Sequence, residues 1–138
     1  MKLTAGDKRG ISSSYTNIGE TYIKLGRKQE AEQILNKAIE LQEEFNFHDE
    51  LTSSLLELAN LSLLQNNPQK AVTLCNQACE IAVTDNLWEA RMKCHLCLYK
   101  SYKTLNNLPK SLTEYEIYTA IKDSVFTAEN TLEIAQIE

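Results

Sequence analysis

Apolar residues return along this chain at three- and four-residue intervals, in helix-length stretches that themselves recur. Tyr15, Ile18, Gly19 and Tyr22 lie on one helical face, and Gly26 closes that stretch as a left-handed C-terminal cap would. From Lys28 to about Glu44, Ala31, Ile34, Leu35, Ala38, Ile39 and Leu41 form an apolar stripe between charged residues. The pattern predicts helices over residues 12–25 and 28–44 folded back on one another. It predicts a second pair over 49–65 and 68–84 and a third over 87–105 and 108–124, with Asn66-Asn67 and Asn106-Asn107 as turns. Asn67 suits an N-cap, and Pro68 suits the first helical position, where its missing N–H costs nothing. Pro109 lies in the same first turn of the third pair.

Ala31, Ala71 and Ser111 stand forty residues apart, and so do Ile18, Leu58 and Leu98; Gly19, Ala59 and Tyr99; and Ala38, Ala78 and Tyr118. A helix pair of this size cannot bury its apolar face alone, so neighbouring pairs must stack into a continuous core. The expected fold is all-α: an α-α superhelix of about three helix pairs with a 40-residue period and a concave face. Ala31, Ala38, Ala71 and Ala78 mark places where adjacent helices approach closely. The expected divisions are residues 1–10 as the tail of a preceding repeat, three repeats over 11–50, 51–90 and 91–126, and a C-terminal linker helix over 127–138. Thr127 would cap that last helix, with Leu132, Ile134, Ala135 and Ile137 on it. Gly6 to Ile11 fall in the phase at which Asn46 to Leu51 end the first full unit, which suggests a piece of a longer array.

The 138 residues, 43% hydrophobic and 24% charged, suffice for one buried core. A formal charge of −5 opposes nucleic-acid binding, which needs clustered Lys and Arg, and the strongest basic run is Lys8-Arg9. No stretch approaches the roughly 20 apolar residues of a membrane span, and the first residues lead into no apolar signal core. No membrane contact by this chain is expected.

The repeated columns resemble the tetratricopeptide repeat. Its pattern of apolar, small, aromatic and alanine positions is met in the first unit by Tyr15, Ile18, Gly19, Tyr22, Ala31, Leu35 and Ala38. The second unit keeps Leu55, Leu58, Ala59, Ala71, Cys75 and Ala78, with Ser62 in place of the tyrosine. The third keeps Leu98, Tyr102 and Tyr115 and departs at His95, Tyr99, Ser111 and Tyr118. The forty-residue spacing exceeds the family's usual ~34, so the helices are about one turn longer. Tyr118 to Asn130 further resembles the close of the sensor array in bacterial multidomain signalling proteins, which carry such repeats ahead of a histidine kinase, a cyclase or a helix-turn-helix output domain.

The resemblance implies a non-catalytic module that binds a protein or peptide on its concave face, which the first helix of each pair lines. In this register that face holds Asn17, Glu20 and Lys24, then Leu56, Glu57, Asn60, Leu63 and Leu64, then Lys93 and Lys100. The apolar Leu56, Leu63 and Leu64 could equally be covered by the second helices or by another subunit, and a homodimer coupled to an output domain is the alternative function. The family's carboxylate clamp would need basic or amide residues at Thr16, Glu20, Glu57, Lys93 and Cys97. Only Lys93 fits.

Candidate chemistry is sparse. Cys75 and Cys79 lie four apart on one expected helix and Cys94 and Cys97 three apart on the next, so antiparallel neighbours could face one another. Four thiolates suit tetrahedral zinc at about 2.3 Å, but structural zinc pairs sit on turns rather than in mid-helix, and Cys75 fills an apolar column. The cysteines are therefore read as buried free thiols acting as small hydrophobes, with zinc or disulfides as the alternatives. No metal or cofactor is expected. Unpaired thiols favour a reducing cytoplasm, while sensor arrays of the resembled kind also occur in the periplasm. His48, in a turn, reads as solvated and His95, in an apolar column, as packed in the core. Neither offers the base of a catalytic triad. The glycines form no phosphate-cradling loop, and Glu30, Glu32, Glu40, Glu43 and Glu44 read as a solvated helix face.

Overall fold

The computed structural model describes residues 2–137, and among them six helices carry the fold: α1 (Ala5–Lys24), α2 (Lys28–Glu44), α3 (His48–Leu64), α4 (Pro68–Thr84), α5 (Trp88–Thr104) and α6 (Leu108–Ile137). The protein is all-α, an α-α superhelix of three antiparallel pairs.

Each helix from α1 to α5 ends in the same way. Gly26, Asn46, Asn66, Asn86 and Asn106 hold positive φ between 55° and 77°, a left-handed conformation that glycine and, next, asparagine tolerate. At each, the following residue donates its N–H back across the turn: Arg27 to Tyr22 O at 2.9 Å, Phe47 to Gln42 O at 2.9 Å, Asn67 to Ser62 O at 2.8 Å, Leu87 to Ala82 O at 2.8 Å and Asn107 to Tyr102 O at 2.9 Å. This is the Schellman arrangement, which satisfies carbonyls that a helix end leaves orphaned. The forty-residue period is thus a twenty-residue one in its connectors. Asn67 and Asn107 also cap the next helix, accepting from Lys70 N at 3.2 Å and Lys110 N at 3.3 Å.

Two boundaries differ from the expected ones by more than a residue. The first helix begins at Ala5 rather than residue 12, because Thr4 and Asp7 form a reciprocal capping box that starts it upstream of Gly6 and Gly10. At the other end α6 runs unbroken through Ser124 and Thr127, where no Gly, Asn or Pro punctuates the chain, so Thr127 caps no separate helix. Of the stripe expected there, the side chains of Ile134 and Ile137 lie outside the described residues.

Packing explains the columns. Ala31, Ala38, Ala71 and Ala78 are completely buried where helices cross closely, and Leu35 packs over Gly19, whose hypothetical Cβ would lie 2.7 Å from the leucine Cδ2. Leu58 and Leu98 are buried, whereas Ile18 of the same column is 42% exposed because no helix covers that side of α1 among the described residues. In the third pair Ser111 replaces alanine and donates its hydroxyl to Tyr99 O at 3.2 Å. Tyr99 in turn packs on Tyr115, ring centroids 4.9 Å apart. An aromatic contact thus stands at the column where the first two pairs carry the small Gly19 and Ala59.

A polar cluster ties the first pair to α3. Gln42, fully buried, donates to Thr16 Oγ1 at 3.3 Å, and Thr16 shares a 2.7 Å hydrogen bond with Ser54. The helices α1 and α3 touch, as do α3 and α5, whereas α2, α4 and α6 do not meet one another among the described residues. The odd-numbered helices are therefore gathered and the even-numbered ones splayed, which bends the array with α1, α3 and α5 on its concave side.

Candidate functional site

The concave side deepens between α3 and α5 into a groove of about 640 Å³. Thr52 and Leu56 form its floor from α3, Leu96 and Cys97 its floor from α5, and the α4–α5 connector with Trp88 closes one end. Leu56 is buried within the chain, and Trp88 is 47% exposed at the rim. Charge is mixed: Asp49, Glu57 and Glu89 lie among Lys93 and Lys100. Lys93 pairs with Glu89 at 3.2 Å, while Lys100 makes no ion pair among the described residues. Burial, and after it the like charge of Glu20, pushes the Glu57 carboxyl above its ordinary value, against the opposing pull of Lys93 and Lys24.

Of the ten residues expected on the concave face, the groove gathers Leu56, Glu57, Asn60, Lys93 and Lys100. Asn17, Glu20, Lys24, Leu63 and Leu64 do not line it. Glu20 and Lys24 pair with each other at 3.3 Å and act on Glu57 through their charges. Leu63 packs against the core, and Leu64 is exposed near the start of α2, where Lys28 Nζ donates to its carbonyl at 3.2 Å. Leu63 is thus partly covered within the chain, and Leu64 is not. Sequence reasoning missed Asn86, in the α4–α5 connector, and Trp88, the first residue of α5. The exposed tryptophan directly after a turn was the available signal.

The cysteines correct the expectation of free thiols. Cys75 is bonded to Cys97 and Cys79 to Cys94, with Cα atoms 6.4 and 5.6 Å apart, and no free cysteine remains. Antiparallel packing of α4 on α5 sets the i, i+4 pair opposite the i, i+3 pair. The argument for a reducing compartment, which rested on unpaired thiols, loses its ground. His95 departs from the packed-core reading as well. It is half-buried, and its Nδ1 lies 2.6 Å from Glu114 Oε2 on α6. His48 is not simply solvated, since its Nδ1 meets Asp85 across the α3 and α4 ends. Within the expected acidic face, Glu32 accepts from Lys70 Nζ at 3.0 Å, and that hydrogen bond holds its carboxyl below the ordinary value. No described helix is long and apolar enough to cross a membrane.

The family model for the tetratricopeptide repeat matches residues 10–83, from α1 into the end of α4. No curated protein matches the chain. The match stops before α5 and α6, the pair in which His95, Tyr99, Ser111 and Tyr118 depart from the repeat pattern. Modules of this kind are typically non-catalytic and mediate protein–protein interaction. With six helices in a repeating antiparallel series and this match over more than half its length, the chain belongs to the tetratricopeptide repeat family.

Proposed function

We propose that the groove between α3 and α5 captures a segment of a partner protein, one with an apolar side chain for Leu56, Leu96 and Trp88 and a carboxylate for Lys100. The observation that carries this reading is Glu57, a carboxyl held partly out of water at an open groove with its charge only partly compensated. Such desolvation is a cost to the free protein that an incoming donor relieves, and tryptophan, here part-exposed beside the groove, is enriched among the residues that anchor binding once a partner covers them. Panning a displayed peptide library on the full chain tests the proposal. Selected peptides should carry an apolar side chain flanked by a carboxylate for Lys100 and a hydrogen-bond donor for Glu57, lose about tenfold or more in affinity against Lys100→Glu and Trp88→Ala, and keep affinity for Lys37→Glu on exposed α2 surface. Peptides indifferent to both groove substitutions would sink it.

In this reading the units are residues 11–50, 51–90 and 91–126, and the chain is the sensory or scaffolding part of a bacterial signal-transduction protein. Two things support that placement: the resemblance of Tyr118–Asn130 to the close of sensor arrays, and the unbroken course of α6 past the third pair, which gives a partner-induced shift a stiff element to act on. A second reading, self-association through α6, is favoured by Leu108, Leu112, Phe126 and Leu132, all about three-fifths exposed along this one helix. Association of that kind would couple output domains in pairs.

A further inference from the structure

The sulfurs of Cys79 and Cys94 have a third polar neighbour. One ligand atom each from Cys79, Cys94 and His95 lie within 4.8 Å of one another, a grouping drawn from both helices of the α4–α5 interface. His95 is held by a third helix: its Nδ1 meets Glu114 Oε2 on α6 at 2.6 Å, and the side chains are only 16% and 19% exposed. A neutral imidazole that donates Nδ1–H to this carboxylate keeps the Nε2 lone pair free. The same carboxylate–imidazole arrangement fixes the tautomer of metal-ligating histidines and raises their basicity. Burial grades across the cluster, with Cys94 enclosed and Cys79 and His95 only partly buried, so the site has an inner wall and an outer side.

We propose that, once the Cys79–Cys94 bond is reduced, Cys79, Cys94 and His95 bind a thiophilic divalent cation of the zinc class, with Glu114 as the positioning carboxylate. Reduction by a dithiol breaks the S–S bond, transfers two electrons and two protons to form two thiols, and leaves the reductant as its disulfide. The ion then displaces both thiol protons as two metal–sulfur bonds form, and His95 adds a neutral nitrogen. Two thiolates balance the ion's two positive charges, and the Glu114 carboxylate, 19% exposed, remains as one negative charge beside the site. Around such an ion the sulfurs stand about 3.8 Å apart for tetrahedral bonds of about 2.3 Å, a separation that side-chain rotation supplies from Cα atoms 5.6 Å apart. Three protein ligands leave the fourth position to water on the Cys79 side. The mid-helix position that argued against metal in the sequence matters less once two helices and a third-helix carboxylate converge. The proposal stands independently of the groove.

The test is a cobalt(II) titration of the full chain, reduced with a dithiol and freed of reductant without air. Cobalt should bind one to one, with thiolate charge-transfer absorption and the intense visible bands of a tetrahedral centre, and one equivalent of zinc should displace it. Cys79→Ser should remove most of the charge-transfer absorption. Glu114→Gln should keep the bands and weaken affinity by roughly 10–100-fold, with helicity checked by circular dichroism. Cys75→Ser with Cys97→Ser should leave the spectrum in place. A reduced chain with four titratable thiols and no tetrahedral bands would overturn the proposal, leaving the cysteines as disulfide formers only. Bands that survive Cys79→Ser, or that Glu114→Gln leaves at full affinity, would overturn it as well.

Discussion

Glu57 is the residue at which folding and binding pull apart. Its raised carboxyl means that ionisation costs more in the folded chain than in the unfolded one. The sign follows from linkage: the penalty is absent below the ordinary value of 4.5 and sets in as pH rises through the folded value. Glu57→Gln should therefore raise the melting temperature at pH 7 and leave it nearly unchanged at pH 4. Thermal unfolding followed by circular dichroism reads both, and an equal gain at the two pH values would refute burial of the charge as the cause. Glu32 has the opposite sign. Its lowered carboxyl adds stability above its ordinary value, and that contribution is lost as pH falls. Residues of this kind were only half legible in the sequence. Glu57 fell on the expected face because helical spacing is local, but its desolvation depends on α5 packed beside it. His95 fell in an apolar column, and nothing local disclosed Glu114 nineteen residues on.

At the scale of the element, half of the helices are set more firmly by the preceding helix's end than by a cap of their own. The helices α2, α3 and α5 start without any side-chain cap, at Arg27, Phe47 and Leu87. Their predecessors all close through a left-handed residue and the hydrogen bond that crosses it. Replacing Asn86 by Ala should cost about 1 kcal/mol, since a β-carbon without a polar side chain disfavours that conformation. Asn86→Gly should cost nothing or stabilise slightly. Urea denaturation distinguishes the two, and equal effects would mean that the conformation at Asn86 is not what matters. The turns at Gly26, Asn66 and Asn106 were legible in the sequence because glycine or a doubled asparagine marks them. Asn46 and Asn86 were not, since each stands as a single asparagine with no glycine or second asparagine beside it, and the signal was their spacing of twenty. The start of α1 was missed for a related reason: Thr4 and Asp7 spell a capping box, but Gly6 and Gly10 mask it as a loop. The facing cysteines could be foreseen, and their bonding could not, because pairing depends on how far α4 slides along α5.

Across the whole molecule, curvature follows from which helices touch. The gathered α1, α3 and α5 expose helix faces toward a common hollow, while the outer helices separate. The two outermost faces, Ile18 on α1 and the exposed leucines and Phe126 on α6, are where the stacking rule leaves apolar surface open. If self-association uses α6, sedimentation equilibrium over a concentration series should show a dimer that Leu112→Glu with Phe126→Glu dissolves. A monomer at every concentration would remove that reading and leave the groove as the interaction surface.

The five connectors carry a consequence for how such a chain can change in length. Because every junction closes with the same backbone hydrogen bonds, an added or removed segment rejoins chemically equivalent ends wherever it spans a multiple of twenty residues. Only multiples of forty also keep inner helices inner and outer helices outer. Half-steps would turn the array's lining outward, so the arithmetic of its joints permits growth and shrinkage by pairs, with the hollow kept on the same side throughout.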